Sequence, residues 1–214
     1  RSADLIYIPY PDPASEEFWS HLMPITNNVE EASLIAFTGG EDIDPAIYGE
    51  KNICSFINKW RDAEEVRIFE LAMKLGIPCT GICRGAQLIT ALCGGRLIQD
   101  IRRGHLKLMH DVFVESGSVI KVSSCHHQMC VPNGGKLVSV STETVHKNQL
   151  PLLSALDNVK RTGDQVHVTE SIFYALNCQI GRNAPCFGVQ FHPEWYQVSD
   201  MADWTLSKVE ELLI

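Results

Sequence analysis

No apolar run in this 214-residue sequence approaches the roughly 20 residues a membrane-crossing helix requires, so no membrane partner is expected. Nor does the opening stretch read as a secretory leader: between Arg1 and Pro13 the one apolar run is Leu5 to Ile8, set among prolines. Basic side chains are scarce. Eighteen Lys and Arg face 26 Asp and Glu for a net charge of −8, which argues against a nucleic-acid partner, because counterion release needs clustered cations. No internal repeat or low-complexity tract is present, which excludes solenoids and disordered linkers. What remains is an ordinary globular composition, 45% apolar and 21% charged, with enough length for one well-packed domain spanning 1–214.

Cysteine is not scarce. The eight residues at 54, 79, 83, 93, 125, 130, 178 and 186 would suit a disulfide framework in a small secreted chain. A chain of this size needs no such staples, and Cys79, Cys93 and Cys186 lie in apolar runs where Cys acts as a small hydrophobe. The expectation is a reduced, cytoplasmic protein.

Apolar runs of four to seven residues alternate with helical patterns, the mark of a mostly parallel sheet covered on both faces. Leu5 to Ile8 and Leu34 to Phe37 read as buried strands. A helix is expected from Asp62, with Asp62 as N-cap, Glu65 as its capping-box partner and Val66, Phe69, Ala72 and Met73 on one face. Gly76 and Pro78 end it, a strand follows over Ile77 to Ile82, and a second helix runs from Gly85 to about Leu92 before Gly94-Gly95. Past residue 110, Val112 to Val114, Val119 to Val122, Leu137 to Ser141 and Val166 to Leu176 read as short antiparallel strands. A last apolar run ends at Val189 to Phe191, and Ser199 to Leu213 reads as a closing helix. The strand–helix unit ahead of Gly39 is brief for a doubly wound fold.

The most informative segment is Ile77-Pro-Cys-Thr-Gly-Ile-Cys-Arg-Gly-Ala-Gln87. Cys83 stands between a strand and a helix with Gly81 and Gly85 at −2 and +2, the spacing of a nucleophile elbow. The helix terminus behind the sulfur favours thiolate. The plain alternative is a buried Cys in a tight turn. A thiolate needs a base, and Gly188-Val-Gln-Phe-His-Pro-Glu194 offers one: His192 at the end of a strand, with Glu194 two residues on to orient it. Thr38-Gly-Gly-Glu-Asp-Ile-Asp-Pro45, also after a strand, would let a backbone N–H of the paired glycines approach a reacting carbonyl, with the Arg84 amide as the second oxyanion donor. Taken alone, that stretch reads equally as an ordinary Gly-Gly turn.

These residues, with Arg61-Asp62 and Glu65, Gly94-Gly95, Gln99-Asp-Ile101 and Ser124-Cys-His-His-Gln128, stand in the order found in the class I glutamine amidotransferase superfamily. The sequence resembles its gamma-glutamyl hydrolase branch, and within that the gamma-glutamyl-gamma-aminobutyrate hydrolases, over about residues 35 to 196. The resemblance implies a flavodoxin-like three-layer sandwich, a central mostly parallel sheet with a small antiparallel section, and a gamma-glutamyl thioester on Cys83. It carries His192 over as base, Glu194 as its orienter, and Gly40 and Arg84 as oxyanion donors. Gly39, Gln87 and His126 become substrate contacts, with no cofactor and no metal. Two departures stand out: Tyr174, in Glu170-Ser-Ile-Phe-Tyr-Ala175, takes the place of a glutamate, and Thr90 stands where Asn is expected.

Other readings compete. Cys125, His126, His127 and Cys130 could be metal ligands, but structural zinc sites pair such spacings twice and no second cluster exists. His105 and His110, five apart, read as surface residues. The same triad also serves glutaminases, which would pass ammonia to a synthetase partner on a second polypeptide. A catalytically silent binding module is the third reading. In the hydrolase reading the substrate is a small gamma-glutamyl amide or glutamine, and the acidic surface favours a cationic leaving amine.

Overall fold

The computed structural model describes residues 4–101, 109–147, 150, 159–175, 184–196 and 199–213. In chain order the strands and α-helices begin with β1 (Ile6–Tyr7), α1 (Pro13–Ser20), β2 (Ile25–Thr26), β3 (Leu34–Phe37), α2 (Lys59–Leu75), β4 (Cys79–Ile82) and α3 (Arg84–Leu92). Then follow β5 (Arg96–Ile98), β6 (Met109–Val114), β7 (Val119–Ser123), β8 (Met129–Val131) and β9 (Lys136–His146). The chain closes with β10 (Arg161–Thr162), β11 (Gln165–Tyr174), β12 (Cys186–Val189) and α4 (Asp200–Leu213).

Every residue of β3, β4 and β12 is buried, so none of these strands has a solvent face and all three need cover on both sides. They get it. On one side, α1 and α4 supply Phe18, Trp19, Met201, Ala202 and Val209 to a core shared with Leu34, Ile82, Phe187 and Val189. On the other, α2 and α3 bring Ile68, Phe69, Ala72, Leu88 and Ile89 against Ile35, Phe37, Cys79 and Cys186. The result is a three-layer α/β sandwich. The sheet runs β2-β1-β3-β4-β12-β11-β9-β6-β7, with β10 on β11. Pairings from β2 through β12 are parallel, and those from β12 onward are antiparallel. The later antiparallel section is therefore a continuation of the same sheet.

Helix α1 has 8 residues and is capped by Asp12, whose carboxylate accepts from the amides of Ala14 and Ser15. Two local readings change. Helix α2 begins at Lys59 with Asn58 as N-cap, so Asp62 and Glu65 lie inside the helix, with buried side chains. Their carboxylates face Arg84 instead of the helix amides, as described below. His110 is not a surface residue; β6 carries it inward, where it is buried against Glu170. His105 and the end of the Val166–Leu176 run lie outside the described residues.

The strand order fixes the site. Neighbours β3, β4 and β12 run parallel and so end on one edge, where Phe37 leads into Thr38-Gly39-Gly40, Ile82 into Cys83 and Val189 into Gln190-Phe191-His192. Ligands of open α/β sheets bind outside the carboxyl ends of such strands.

Candidate active site

Between β4 and α3 the chain reverses within one residue. Cys83 takes φ 49° and ψ −102°, and it is the one non-glycine residue with positive φ among those described. Such a conformation costs roughly 1–3 kcal/mol and persists only where the surroundings enforce it. They do so here by contact. A side chain on Gly81 would come 2.7 Å from the Ala86 nitrogen, and one on Gly85 would come 2.8 Å from the carbonyl carbon of Phe37. The elbow can pack against β3 only because both flanking positions lack a Cβ. Cys83 itself is the cap of α3, so the first-turn amides of that helix, Arg84 included, have no intrahelical acceptor. Gln190 braces the turn, its amide nitrogen 3.5 Å from the Cys83 carbonyl.

His192 emerges beyond β12. Its backbone amide donates to the Ser123 hydroxyl at 2.7 Å, and Pro193 starts a short 3-10 turn, Pro193–Trp195, that folds Glu194 back. The Glu194 carboxylate lies 2.7 Å from His192 Nδ1. The Trp195 indole stacks on the imidazole, with centroids 3.8 Å apart and planes at 7°. Gly39 abuts the ring, since a Cβ there would stand 2.7 Å from His192 Cε1. With Nδ1 engaged, Nε2 is the nitrogen available to the Cys83 thiol, which is within hydrogen-bonding reach. Burial by itself lowers the imidazole pKa, but the Cys83 and Glu194 partners together outweigh it and raise it to about 10. Imidazolium therefore persists through neutral pH beside the sulfur, the arrangement a thiolate nucleophile requires.

Gly40 takes φ 142°, a backbone that side chains rarely adopt, and a Cβ there would collide with the Arg61 guanidinium. Gln87 is buried one turn along α3. His126 is buried as well; its Nδ1 lies 2.8 Å from the Gln128 carbonyl and its Nε2 lies 3.6 Å from Glu170.

The sequence offered no reason to single out Glu170. Strand β11 runs antiparallel to β12, and its register puts Glu170 beside Gln190, whose amide donates to the Glu170 carbonyl at 2.7 Å. Tyr174 falls opposite Cys186, at the far end of the strand. Glu170 and Tyr174 thus stand at different ends of the β11–β12 pairing. Glu170 is fully buried between His126 and His110, whose Nε2 stands 2.8 Å away. Burial opposes its ionisation, yet the hydrogen bond from His110 and the close approach of His126 bring its pKa down to about 2.

A pKa held below the unfolded value contributes stability above about pH 4.5 that is lost as pH falls toward 2, on the order of 3 kcal/mol. Glu170→Gln is accordingly expected to be less stable than the unsubstituted protein at pH 7 by about that amount. Urea titrations at stepped pH will show the gap closing between about pH 4.5 and 2; a gap independent of pH would refute this assignment.

The Cys125–Cys130 segment does not converge as a metal site would. Cys125 is exposed, His126 faces Gln128 and Glu170, His127 lies 3.1 Å from Asp42, and the Cys130 thiol lies 3.1 Å from Gln190 Oε1. Among the described residues no group of three or more His, Cys, Asp or Glu is placed to hold a metal ion. The seven described cysteines are free. Among the described residues no helix is long and apolar enough to cross a membrane.

The peptidase C26 family profile matches residues 20–194. The chain is 26% identical over 176 residues to a putative glutamine amidotransferase-like protein of Lactococcus lactis, covering 70% of this chain and 75% of that one. It is 28% identical over 136 residues to the carbamoyl phosphate synthase small chain of Thermotoga maritima, covering 60% of this chain and 34% of that one. Among solved structures, a glutamine amidotransferase from Thermotoga maritima superposes with a TM-score of 0.58 at 17% identity, over 99% of this chain and 84% of that one. The shared architecture is the flavodoxin-like α/β fold.

Proposed function

The chain belongs to the peptidase C26 family, within the class I glutamine amidotransferase-like superfamily, and from that premise we propose that it is a cysteine-dependent gamma-glutamyl amide hydrolase of the gamma-glutamyl hydrolase branch. The observation that carries the reading is the meeting of a strained Cys83 and a Glu194-oriented His192 at the ends of adjacent parallel strands.

In the proposed mechanism the Cys83 thiolate attacks the gamma-carbonyl carbon and the carbonyl electron pair moves onto oxygen. The amides of Gly40 and Arg84 hold that oxyanion. As the carbon–nitrogen bond breaks, the His192 imidazolium gives its proton to the departing amine, leaving a glutamyl thioester. The now neutral imidazole takes a proton from water, the hydroxide displaces sulfur, and glutamate leaves. Gly39, Gln87 and His126 line the pocket for the glutamyl end, with Glu170 raising the His126 pKa against the effect of burial.

The similarity to a carbamoyl phosphate synthase small chain favours one alternative: glutamine as substrate, with ammonia passed to a synthetase partner. The test is glutamate release from free glutamine and from a panel of gamma-glutamyl amines. Turnover of a gamma-glutamyl amine with glutamine poor supports the stand-alone hydrolase. Silence on the amines, with glutamine hydrolysed, supports the amidotransferase subunit.

A further inference from the structure

The Arg61-Asp62-x-x-Glu65 pattern has no part in the mechanism above, yet it forms the most heavily charged buried cluster described. Glu65 is fully buried on the face of α2 that looks toward the site. Its Oε1 accepts from Arg61 Nε at 3.0 Å, and its Oε2 accepts from the Arg84 guanidinium. Each arginine leads to a different half of the candidate oxyanion hole. Arg61 donates onward to the Thr38 carbonyl at 3.3 Å, to the Thr38 hydroxyl at 3.0 Å and to Glu41 at 3.3 Å, so it grips the chain on both sides of Gly39-Gly40. Arg84 is the residue next to the nucleophile, its side chain pinned by Glu65 and also by Asp62. Asp62 in turn accepts from the Asp44 amide at 3.0 Å, at the end of the same glycine loop.

We propose that Glu65 is a positioning residue that holds the Gly40 and Arg84 amides at a fixed separation, by bonding one arginine from each side of the oxyanion hole. The physical need is clear. Gly40, with no side chain and an unusual φ, has little local restraint of its own, and an oxyanion donor contributes only when it is already aimed at where charge develops. Two buried arginines and two buried carboxylates also balance in charge, which is the condition under which such a cluster can lie inside a fold. This inference rests on the proposed thioester mechanism and names an additional residue that it requires.

The test separates oxyanion stabilisation from thiol reactivity. An aldehyde analogue of glutamate forms a hemithioacetal with Cys83 whose oxygen needs the two amides, whereas alkylation of the same sulfur by iodoacetamide develops no oxyanion. In Glu65→Gln, kcat should fall by about 10²–10³-fold with KM within about twofold, since the lost interaction belongs to the transition state. Affinity for the aldehyde should fall in parallel, and the iodoacetamide rate should stay within about twofold. Should Glu65→Gln fail to fold, Thr38→Val removes the hydroxyl among Arg61's contacts to the loop and should lose kcat and aldehyde affinity about tenfold, with Thr38→Ser restoring both.

Unchanged kcat in folded Glu65→Gln or Thr38→Val would overturn the proposal. So would equal losses in aldehyde affinity and alkylation, which would mark a general structural role. If the unsubstituted protein itself forms no hemithioacetal at Cys83, the mechanism fails at its parent step and this inference with it.

Discussion

Cys83→Ala loses at least about 10⁴-fold in glutamate release while keeping its fold. The magnitude follows from what the sulfur does: without it there is no covalent intermediate, and the oxyanion amides and pocket can only assist direct attack by water. The fold should survive because the substitution removes one atom from a turn whose geometry is imposed by the packing of Gly81 and Gly85 against their neighbours. Thermal denaturation together with the glutamate assay checks both halves. Full turnover in the folded variant would remove Cys83 from the chemistry altogether. Loss of fold together with activity would leave the role undecided, and Cys83→Ser, closer in size, then serves as the comparison.

His192→Asn is the second large effect, expected at about 10³–10⁴-fold, because one imidazole serves as acid in the first half-reaction and as base in the second. It carries a signature that a structural defect would not. With its pKa raised to about 10, His192 stays protonated beside the sulfur at neutral pH, so removing it should slow alkylation of Cys83 at pH 7 as well as turnover. The sign is fixed by the raised pKa: the stability drawn from the charged imidazole is complete below about pH 6.5 and is lost as pH climbs through about 10. Glu194→Gln should fall between the two proteins, since it keeps the ring and its Trp195 stack but removes the carboxylate partner. An asparagine variant with a wild-type alkylation rate at pH 7 would contradict the thiolate–imidazolium pairing.

How much of this was legible in the sequence depended on how local the cause was. Strand β3 was visible as Leu34 to Phe37 because a four-residue run with no polar face can only be a core segment. The elbow was visible because its requirement, two glycines about a nucleophile before a helix, lies within five residues. That Cys83 and His192 would meet needed the strand order, which places β4 beside β12 although the residues stand 109 apart in sequence.

Where a side chain's partner was distant, local reasoning assigned a nearer one. Asp62 and Glu65 fit a capping box, yet Asn58 caps the helix and their carboxylates reach Arg84, about 20 residues away. His110 read as a surface residue because its spacing of five from His105 puts the two on no common helix face; Glu170, its partner, is 60 residues on. The placement of Glu170 and Tyr174 likewise waited on the register against β12, which sets Glu170 beside Gln190 and Tyr174 opposite Cys186 at the far end of the strand.

The most direct test of the central claim is covalent: incubation with a glutamine-shaped chloroketone, followed by peptide mapping alongside residual turnover. The mechanism requires one equivalent of label on Cys83, with activity falling in step with labelling and protection by a gamma-glutamyl amide. Label on another cysteine with activity lost, or a fully labelled Cys83 with turnover intact, would contradict it.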